Sequence, residues 1–164
     1  MTAPSIEAIF IAPRAGEKMV RVAEVQAIAG RGLEGDRYAV GTGYYAPDDV
    51  CEVTLIEGEA LDVIRAVHGV HVHDGEHRRN VVTRGLLLRD LRGKQLRIGE
   101  VLLEYDCPRP PCGYVERITE KGMTRALGEG AGIGVRVLSS GILREGSSIE
   151  VIIPEDYRTP RVLP

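Results

Sequence analysis

Hydrophobic and polar residues alternate along much of this 164-residue chain, and glycine-rich turns separate the alternating runs. The pattern predicts four strands, at residues 5–11, 20–28, 51–56 and 80–83. We expect the first two strands to pair with each other. Residues 96–105 predict a hairpin that turns at residues 98–100, and a second hairpin is predicted between residues 133–138 and 149–153.

Helical spacing is confined to two segments. Residues 59–68 place apolar side chains on one side and end before Gly69, a residue type that commonly stops a helix. Residues 114–127 have room for one or two helical turns. Many short strands with few helices predict a mostly β (α+β) fold, a twisted, barrel-like sheet with a few short peripheral helices. We expect one domain over residues 1–153 and an extended, polar, proline-bearing C-terminal tail over residues 154–164.

Composition excludes several classes of function. The net charge is −3, no block of lysine and arginine is present, and aromatic residues make up only 4% of the chain, so no nucleic-acid partner is expected. The apolar runs are far shorter than a membrane span, and the first residues show no secretory signal. We therefore expect no membrane association and a cytoplasmic location. The odd count of three cysteines disfavours a disulfide framework.

Two of the three cysteines lie in the segment CPRPPC at residues 107–112. Its three prolines fix most of the local φ angles and exclude a helix, so the loop is preset before any ligand binds. Arg109 is close enough in sequence to favour a thiolate, the form that attacks electrophiles and binds soft metals. The alternative is a proline-rich loop whose cysteines are inert or paired.

Two further segments offer donors for an anion. Residues 30–38 place three glycines among charged residues, where bare backbone can approach an anion and Arg37 can clamp it. Arg78, Arg79 and Asn80 lead into a predicted strand and offer planar donors for phosphate and for the edges of heterocycles. The alternatives are a simple strand connection for the first segment and a solvated charge run for the second.

All four histidines fall within ten residues, at positions 68, 71, 73 and 77. His71 and His73 would lie on one face of a strand, where a zinc site could use them together with a third ligand. The surrounding glycines and acidic residues indicate an exposed loop instead, and we favour that interpretation.

These segments occur in an order that resembles a stand-alone MOSC domain, the family named for the C-terminal domain of molybdenum cofactor sulfurases. No single motif is very specific, but six motifs in the family's order are strong evidence. The matching segments are residues 32–37 (GLEGDR), 78–82 (RRNVV), 85–86 with Gly93, 97–101 (RIGEV), 111–112 (PC), and 135–138 with 141–146. The resemblance implies a mostly β, barrel-like fold that binds the molybdenum cofactor, a pterin that carries a dithiolene and a phosphate.

The resemblance also implies roles for individual residues. Cys112 matches the cysteine that coordinates molybdenum in related proteins, or that carries sulfur as a persulfide in an earlier proposal. Arg37, Arg78, Asn80 and Arg109 are the expected cofactor-binding residues. Tyr38 stands where histidine is frequent in the family, so no role of that side chain transfers.

Three functions follow from the resemblance as alternatives. The first is an oxidoreductase that reduces small N-hydroxylated compounds with electrons from a separate redox protein. The second is a sulfur or cofactor carrier that uses a Cys112 persulfide supplied by a cysteine-desulfurase-like donor. The third is a non-catalytic barrel that binds small anions.

Overall fold

The computed structural model describes residues 2–44, 46 and 51–155. Within this part of the chain there are eleven strands: β1 (Ser5–Ile11), β2 (Val20–Val22), β3 (Glu24–Ile28), β4 (Gly32–Leu33), β5 (Val53–Glu57), β6 (Val81–Arg84), β7 (Gln95–Ile98), β8 (Val101–Pro108), β9 (Ile133–Ser139), β10 (Gly141–Arg144) and β11 (Glu150–Ile152). The same residues form four α-helices, α1 (Arg37–Val40), α2 (Gly58–His68), α3 (Gly113–Ile118) and α4 (Met123–Leu127), and 3₁₀ turns at Leu88–Leu91 and Gly128–Gly130.

The strands form two sheets. The larger has eight strands in the order β11-β7-β8-β9-β5-β6-β1-β2, and the smaller has three in the order β10-β3-β4. Their ladders are antiparallel except that between β5 and β6, which run parallel because α2 crosses over between them. Gly69 ends α2 in the left-handed conformation, as the sequence predicts.

The large sheet curls until its two ends approach each other. The segment just before β11, at one end of the sheet, hydrogen-bonds to the start of β1, which is next to the other end. Ile6 N–H donates to the carbonyl of Ser147 at 3.0 Å, and Ile149 N–H donates to that of Pro4 at 2.8 Å. This curvature confirms the expected mostly β, barrel-like fold with a few short helices.

Successive residues of β1 belong to two different apolar cores. Ile9 packs inside the curled sheet, where the small sheet contributes Leu33 and Leu143. Phe10 faces the opposite side and packs with residues of the helices, including Met123 of α4. Because neighbouring side chains of a strand point to opposite faces, this one strand contributes side chains to both cores. Val115 of α3, the helix that follows the cysteine-bearing loop, belongs to the same core as Phe10.

Two predicted pairings differ from the structure. Residues 20–28 break into β2, which pairs with β1 as expected, and β3, which pairs with β10 and β4 in the small sheet. The hairpin predicted between residues 133–138 and 149–153 is wrong, since β9 lies between β5 and β8 while β11 pairs with β7. Alternation identifies the faces of a strand but not its partner. Between β9 and β11 the chain first forms β10, which pairs with β3 in the small sheet. The hairpin at residues 96–105 is confirmed as β7–β8.

The described residues include no helix that has the length and apolar character to cross a bilayer. The extended tail expected over residues 154–164 lies almost wholly outside the described residues, which end at Glu155.

Candidate functional site

Three segments that are distant in sequence meet around one cavity of about 480 Å³. They are the start of α1, the residues that precede β6, and the loop between β8 and α3. The lining residues are Arg37, Tyr38, Tyr44, His77, Arg78, Arg79, Arg109, Pro110, Pro111, Cys112, Tyr114 and Val115. Four of the five site residues expected from the sequence therefore share one cavity, and Asn80 is not among its lining residues.

Arg37 forms a buried ion pair at the base of this cavity. The Asp36 carboxylate, fully buried, accepts hydrogen bonds from the Arg37 guanidinium at 3.1 Å and from the backbone N–H groups of Ala12 and Tyr38 at 3.0 and 3.2 Å. A second guanidinium nitrogen of Arg37 donates to the backbone carbonyl of Arg78 at 3.1 Å. Arg37 is thus compensated in charge and ties the glycine-rich turn to the segment before β6.

Arg78 has an unusual backbone and an unused donor. Its φ of 64° is the only positive value at a non-glycine residue in the described part of the chain. Its Nη1 donates to the carbonyl of Glu17, whereas its Nη2 is buried and has no partner among the described residues. Burial, followed by the charge of Arg37, lowers the pKa of Arg78 to about 10, so the guanidinium stays charged at neutral pH. A charged, buried, unpaired donor is suited to an anionic acceptor.

Arg79 holds the cysteine-bearing loop in place. Its Nε donates to the carbonyl of Ala131 at 2.6 Å, and its Nη2 donates to that of Arg109 at 2.9 Å. Burial lowers the pKa of Arg79. These two carbonyl bonds give Arg79 a structural role and join the segment before β6 to residues 107–112.

Asn80 is used inside the protein. Its side-chain oxygen accepts from the backbone and the hydroxyl of Thr54, each at 3.0 Å, and its amide nitrogen donates to the carbonyl of Phe10 at 3.2 Å. These bonds, made by a fully buried side chain, fasten β5 and β1 together where β6 begins. A direct role of Asn80 in ligand binding stays a prediction. Its hydrogen bonds to β5 and β1 anchor the backbone that follows Arg78 and Arg79.

The loop before α3 presents Cys112 to the cavity. Backbone N–H of Arg109 donates to the carbonyl of Gly132 at 3.0 Å, and a Cβ on Gly132 would collide with the backbone of Leu55. The carbonyl of Cys112 accepts from Val115 N–H and from the Thr124 hydroxyl, both at 3.1 Å. The half-buried Cys112 side chain is therefore held on a loop that both prolines and hydrogen bonds restrain.

The cysteines differ in environment, and all three are thiols. Cys51 is buried, and Cys107 lies at the end of β8, outside the cavity lining, with its Sγ 3.9 Å from the Asp106 carboxylate. The absence of a Cys51–Cys112 disulfide agrees with the expectation from the odd cysteine count. Only Cys112 combines a cavity position with partial exposure.

His77 is a functional candidate that the sequence analysis did not separate from the other histidines. It is completely buried, its ring packs edge-on against Phe10, and its Nδ1 accepts from the backbone N–H of Arg79 at 2.9 Å. Burial, followed by the charge of Arg79, lowers the pKa of His77 to about 3. The ring is therefore neutral with its proton on Nε2, and this buried donor has no partner among the described residues.

The low pKa of His77 predicts a stability that depends on pH. In the unfolded chain the ring titrates near 6.5, whereas in the folded protein it does so near 3, so acidification favours the unfolded state below pH 6.5. We expect the free energy of unfolding to fall by about 2 kcal/mol between pH 7.5 and pH 5. Urea denaturation at several pH values measures this, with His77→Gln expected to flatten the slope and His68→Gln, at an exposed position, to keep it. An equal slope in wild type and His77→Gln would contradict the assignment.

Two tyrosines form one wall of the cavity. The rings of Tyr44 and Tyr114 stack with centroids 3.7 Å apart and planes inclined by 15°. The Arg117 guanidinium donates to the Tyr44 hydroxyl at 2.9 Å and lies about 6 Å from both ring centroids. Sequence reasoning missed this pair, because nothing in the pattern around Tyr44 indicates which distant residue it meets.

The other histidines lie away from this cavity. His71 is exposed and contacts the Glu120 carboxylate through its backbone N–H at 2.6 Å and its Nδ1 at 3.1 Å. His73 is 3.6 Å from Asp62. No group of three or more metal-ligating side chains with the geometry of a metal site occurs in the described ranges. His71 and His73 are exposed and lie outside the helices and strands, as the exposed-loop interpretation expects, whereas His68 is the last residue of α2 and His77 is buried.

Comparisons relate the chain to known proteins. The sequence model of the MOSC domain matches residues 46–150. The fold is similar to that of the YUAD protein from Bacillus subtilis, with 17% identity, a TM-score of 0.75, and coverage of 94% of this chain and 98% of that one. It is also similar to that of YiiM from Geobacillus stearothermophilus, with 18% identity, a TM-score of 0.70, and coverage of 91% of this chain and 75% of that one. YiiM from Escherichia coli is similar too, with 19% identity, a TM-score of 0.63, and coverage of 90% of this chain and 69% of that one. No curated protein sequence matches significantly.

Proposed function

The chain belongs to the MOSC domain family, and we propose that its cavity binds the molybdenum cofactor, with Cys112 supplying a sulfur ligand to the metal. One observation carries the proposal. Two buried hydrogen-bond donors without partners among the described residues, Arg78 Nη2 and His77 Nε2, belong to residues that line the same cavity as Cys112. A cofactor that combines a phosphate, a heterocycle and a thiophilic metal needs this combination of donors.

The charge of the cavity supports an anionic ligand. Four arginines contribute to its lining, and the described lining residues include no aspartate or glutamate. Asp36 compensates Arg37 from behind the wall, so the positive charge of Arg78 is available to a ligand. The volume of about 480 Å³ falls within the range of small-molecule and cofactor pockets.

The residues would hold the cofactor in distinct ways. Arg78 would bind the phosphate through its unused guanidinium nitrogen, and His77 would donate from a neutral ring to an acceptor of the ligand. Arg109 would contribute a further cation from the preset loop. Arg37 and Asn80 would act through the backbone they fasten, because their side chains are engaged inside the protein.

For activity, we propose the reduction of a small N-hydroxylated compound. The balanced reaction is R–NHOH + 2e⁻ + 2H⁺ → R–NH₂ + H₂O, with both electrons supplied by a separate redox protein. The molybdenum cofactor, when bound, supplies the two-electron chemistry. The protein would contribute the Cys112 ligand and the orientation of the cofactor. A reducing cytoplasm would keep Cys112 as a thiol.

The experiment that tests the proposal is molybdenum and pterin analysis of the protein made in a host that synthesises the cofactor. We expect close to one molybdenum and one pterin per chain after gentle purification, and reduction of an amidoxime with a chemical electron donor. The absence of both metal and pterin would reject cofactor binding. Bound cofactor without turnover, together with a mass increase of one sulfur atom on Cys112, would favour the carrier function instead.

Arg78→Ala is expected to weaken cofactor retention roughly ten- to a hundredfold, because it removes a charge-assisted hydrogen bond of about 1.5–3 kcal/mol. Alanine keeps the Cβ, so the backbone cost of the positive φ is unchanged. The measurement is molybdenum per chain during stepwise dilution and dialysis. The matched control is Arg89→Ala, whose side chain is 81% exposed and outside the cavity. Equal retention in both variants would remove Arg78 from the binding site.

A further inference from the structure

The stacked tyrosines line the same cavity as the proposed metal ligand. Tyr114 is in the first turn of α3, two positions after Cys112, so the loop that presents the thiol also positions one ring of the stack. Tyr44 comes from the segment after α1 and lies almost parallel to that ring at 3.7 Å. The arrangement therefore places the two rings and Cys112 on the lining of one cavity.

Tyr44 is positioned as well as exposed. It is 47% exposed, although it is a large aromatic residue, and it lines the cavity. The hydrogen bond from Arg117 to its hydroxyl and the stacking on Tyr114 restrict the orientation of its ring. An exposed ring held in one orientation is the form of side chain on which planar heterocycles stack in binding sites.

We propose that the Tyr44–Tyr114 stack is a specificity-determining surface that selects substrates with a planar aromatic ring next to the reacting N–OH group. This inference rests on the proposed function, since it places the reacting group of the substrate near Cys112. The stack acts on the substrate ring and not on the pterin, whose phosphate and heterocycle are assigned to Arg78 and His77. A stacked ring contributes through its flat π surface, which an aliphatic substrate lacks.

The test compares two substrates that share one reacting group. Benzamidoxime carries a planar ring on its amidoxime and acetamidoxime carries a methyl group, and each is reduced by R–C(NH₂)=NOH + 2e⁻ + 2H⁺ → R–C(NH₂)=NH + H₂O. We expect Tyr44→Leu to lower the ratio of kcat/KM for benzamidoxime over acetamidoxime about tenfold, mainly through KM for benzamidoxime. Tyr44→Phe, which keeps the ring and loses the hydroxyl, is expected to keep most of the ratio.

Each other outcome overturns the proposal in a recognisable way. An unchanged ratio in Tyr44→Leu would show that the stack does not select the substrate. A loss of molybdenum from Tyr44→Leu, with the ratio unchanged in the remaining loaded protein, would show that the ring holds the cofactor instead. If Tyr44→Leu does not fold, Tyr44→Trp replaces it in the test. Its larger ring is expected to lower the KM for benzamidoxime, and a KM no lower than that of wild type would contradict the proposal.

The failure of the proposed function can be told apart from failure of this inference. If the protein binds no molybdenum, equilibrium dialysis of benzamidoxime with wild type and Tyr44→Leu still measures stacking without turnover. Weaker binding of benzamidoxime to Tyr44→Leu, with acetamidoxime bound equally weakly by both proteins, would support the aromatic surface alone. Equal binding of benzamidoxime to both proteins would reject it.

Discussion

Cys112→Ala is expected to lower the reduction of N-hydroxylated substrates at least about a thousandfold while most of the cofactor remains bound. The two effects differ because different residues would hold the metal and the rest of the cofactor. The donors of Arg78 and His77 would retain the phosphate and the heterocycle, whereas Cys112, the one sulfur-bearing residue of the described cavity lining, would ligate the metal. Molybdenum per chain and turnover with a chemical electron donor, measured on the same preparation, test both parts.

The matched control for this variant is Cys107→Ala. Cys107 belongs to the same proline-rich segment and is partly exposed, but it does not line the cavity. We expect it to leave turnover and molybdenum content near those of wild type. Full activity in Cys112→Ala would exclude the metal-ligand role, and a similar loss in both variants would indicate that the loop and not the sulfur was damaged.

Asp36→Asn is expected to reduce the free energy of unfolding by about 3–5 kcal/mol, the largest stability change we expect from a single neutral-for-charged replacement. Asp36 is fully buried, and its carboxylate accepts three hydrogen bonds, one of them from the nearly buried guanidinium of Arg37. Asparagine would offer one acceptor oxygen and an NH₂ group, and it would leave the Arg37 charge buried without its counter-ion.

Chemical denaturation and thermal melting measure the effect of Asp36→Asn, with a melting temperature lower by roughly 10 °C. The control is Asp90→Asn, since that carboxylate is 60% exposed and 4.0 Å from the guanidinium of Arg89, also exposed. An exposed pair of this kind contributes at most about 1 kcal/mol. Destabilisation of similar size in both variants would show that the buried pair does not hold the site together.

Several residues of the cavity lining could be anticipated from sequence because their signals are local. The prolines around Arg109 preset a loop, and the structure places Cys112 of that loop on the cavity. The run that contains Arg78 precedes a strand, and it too reaches the cavity. Asn80 belongs to the same run, but its amide is used between β1 and β5. Donor type can be read from the chain, whereas the atoms that satisfy each donor come from other strands.

His77 shows why the remainder of the site was hidden. In the sequence it is one of four clustered histidines, and three of them lie outside the cavity lining. Its low pKa arises first from complete burial and then from the charge of Arg79. The nearby arginines can be read from the sequence, but the burial cannot. It exists only after β1, whose Phe10 packs against the ring, and the segment before β6 have come together.

By itself the sequence determined the local structure of this protein. Alternation defined strand β1 and the hairpin β7–β8, and helical spacing followed by Gly69 defined α2, because these features depend on neighbours a few residues away. Tertiary structure alone decided that β3 joins a second sheet, that β11 pairs with β7, and that Tyr44 stacks on Tyr114. The physical reason is that a period of two residues specifies which face a side chain occupies, while strand partners and buried charges depend on how all the faces pack at once.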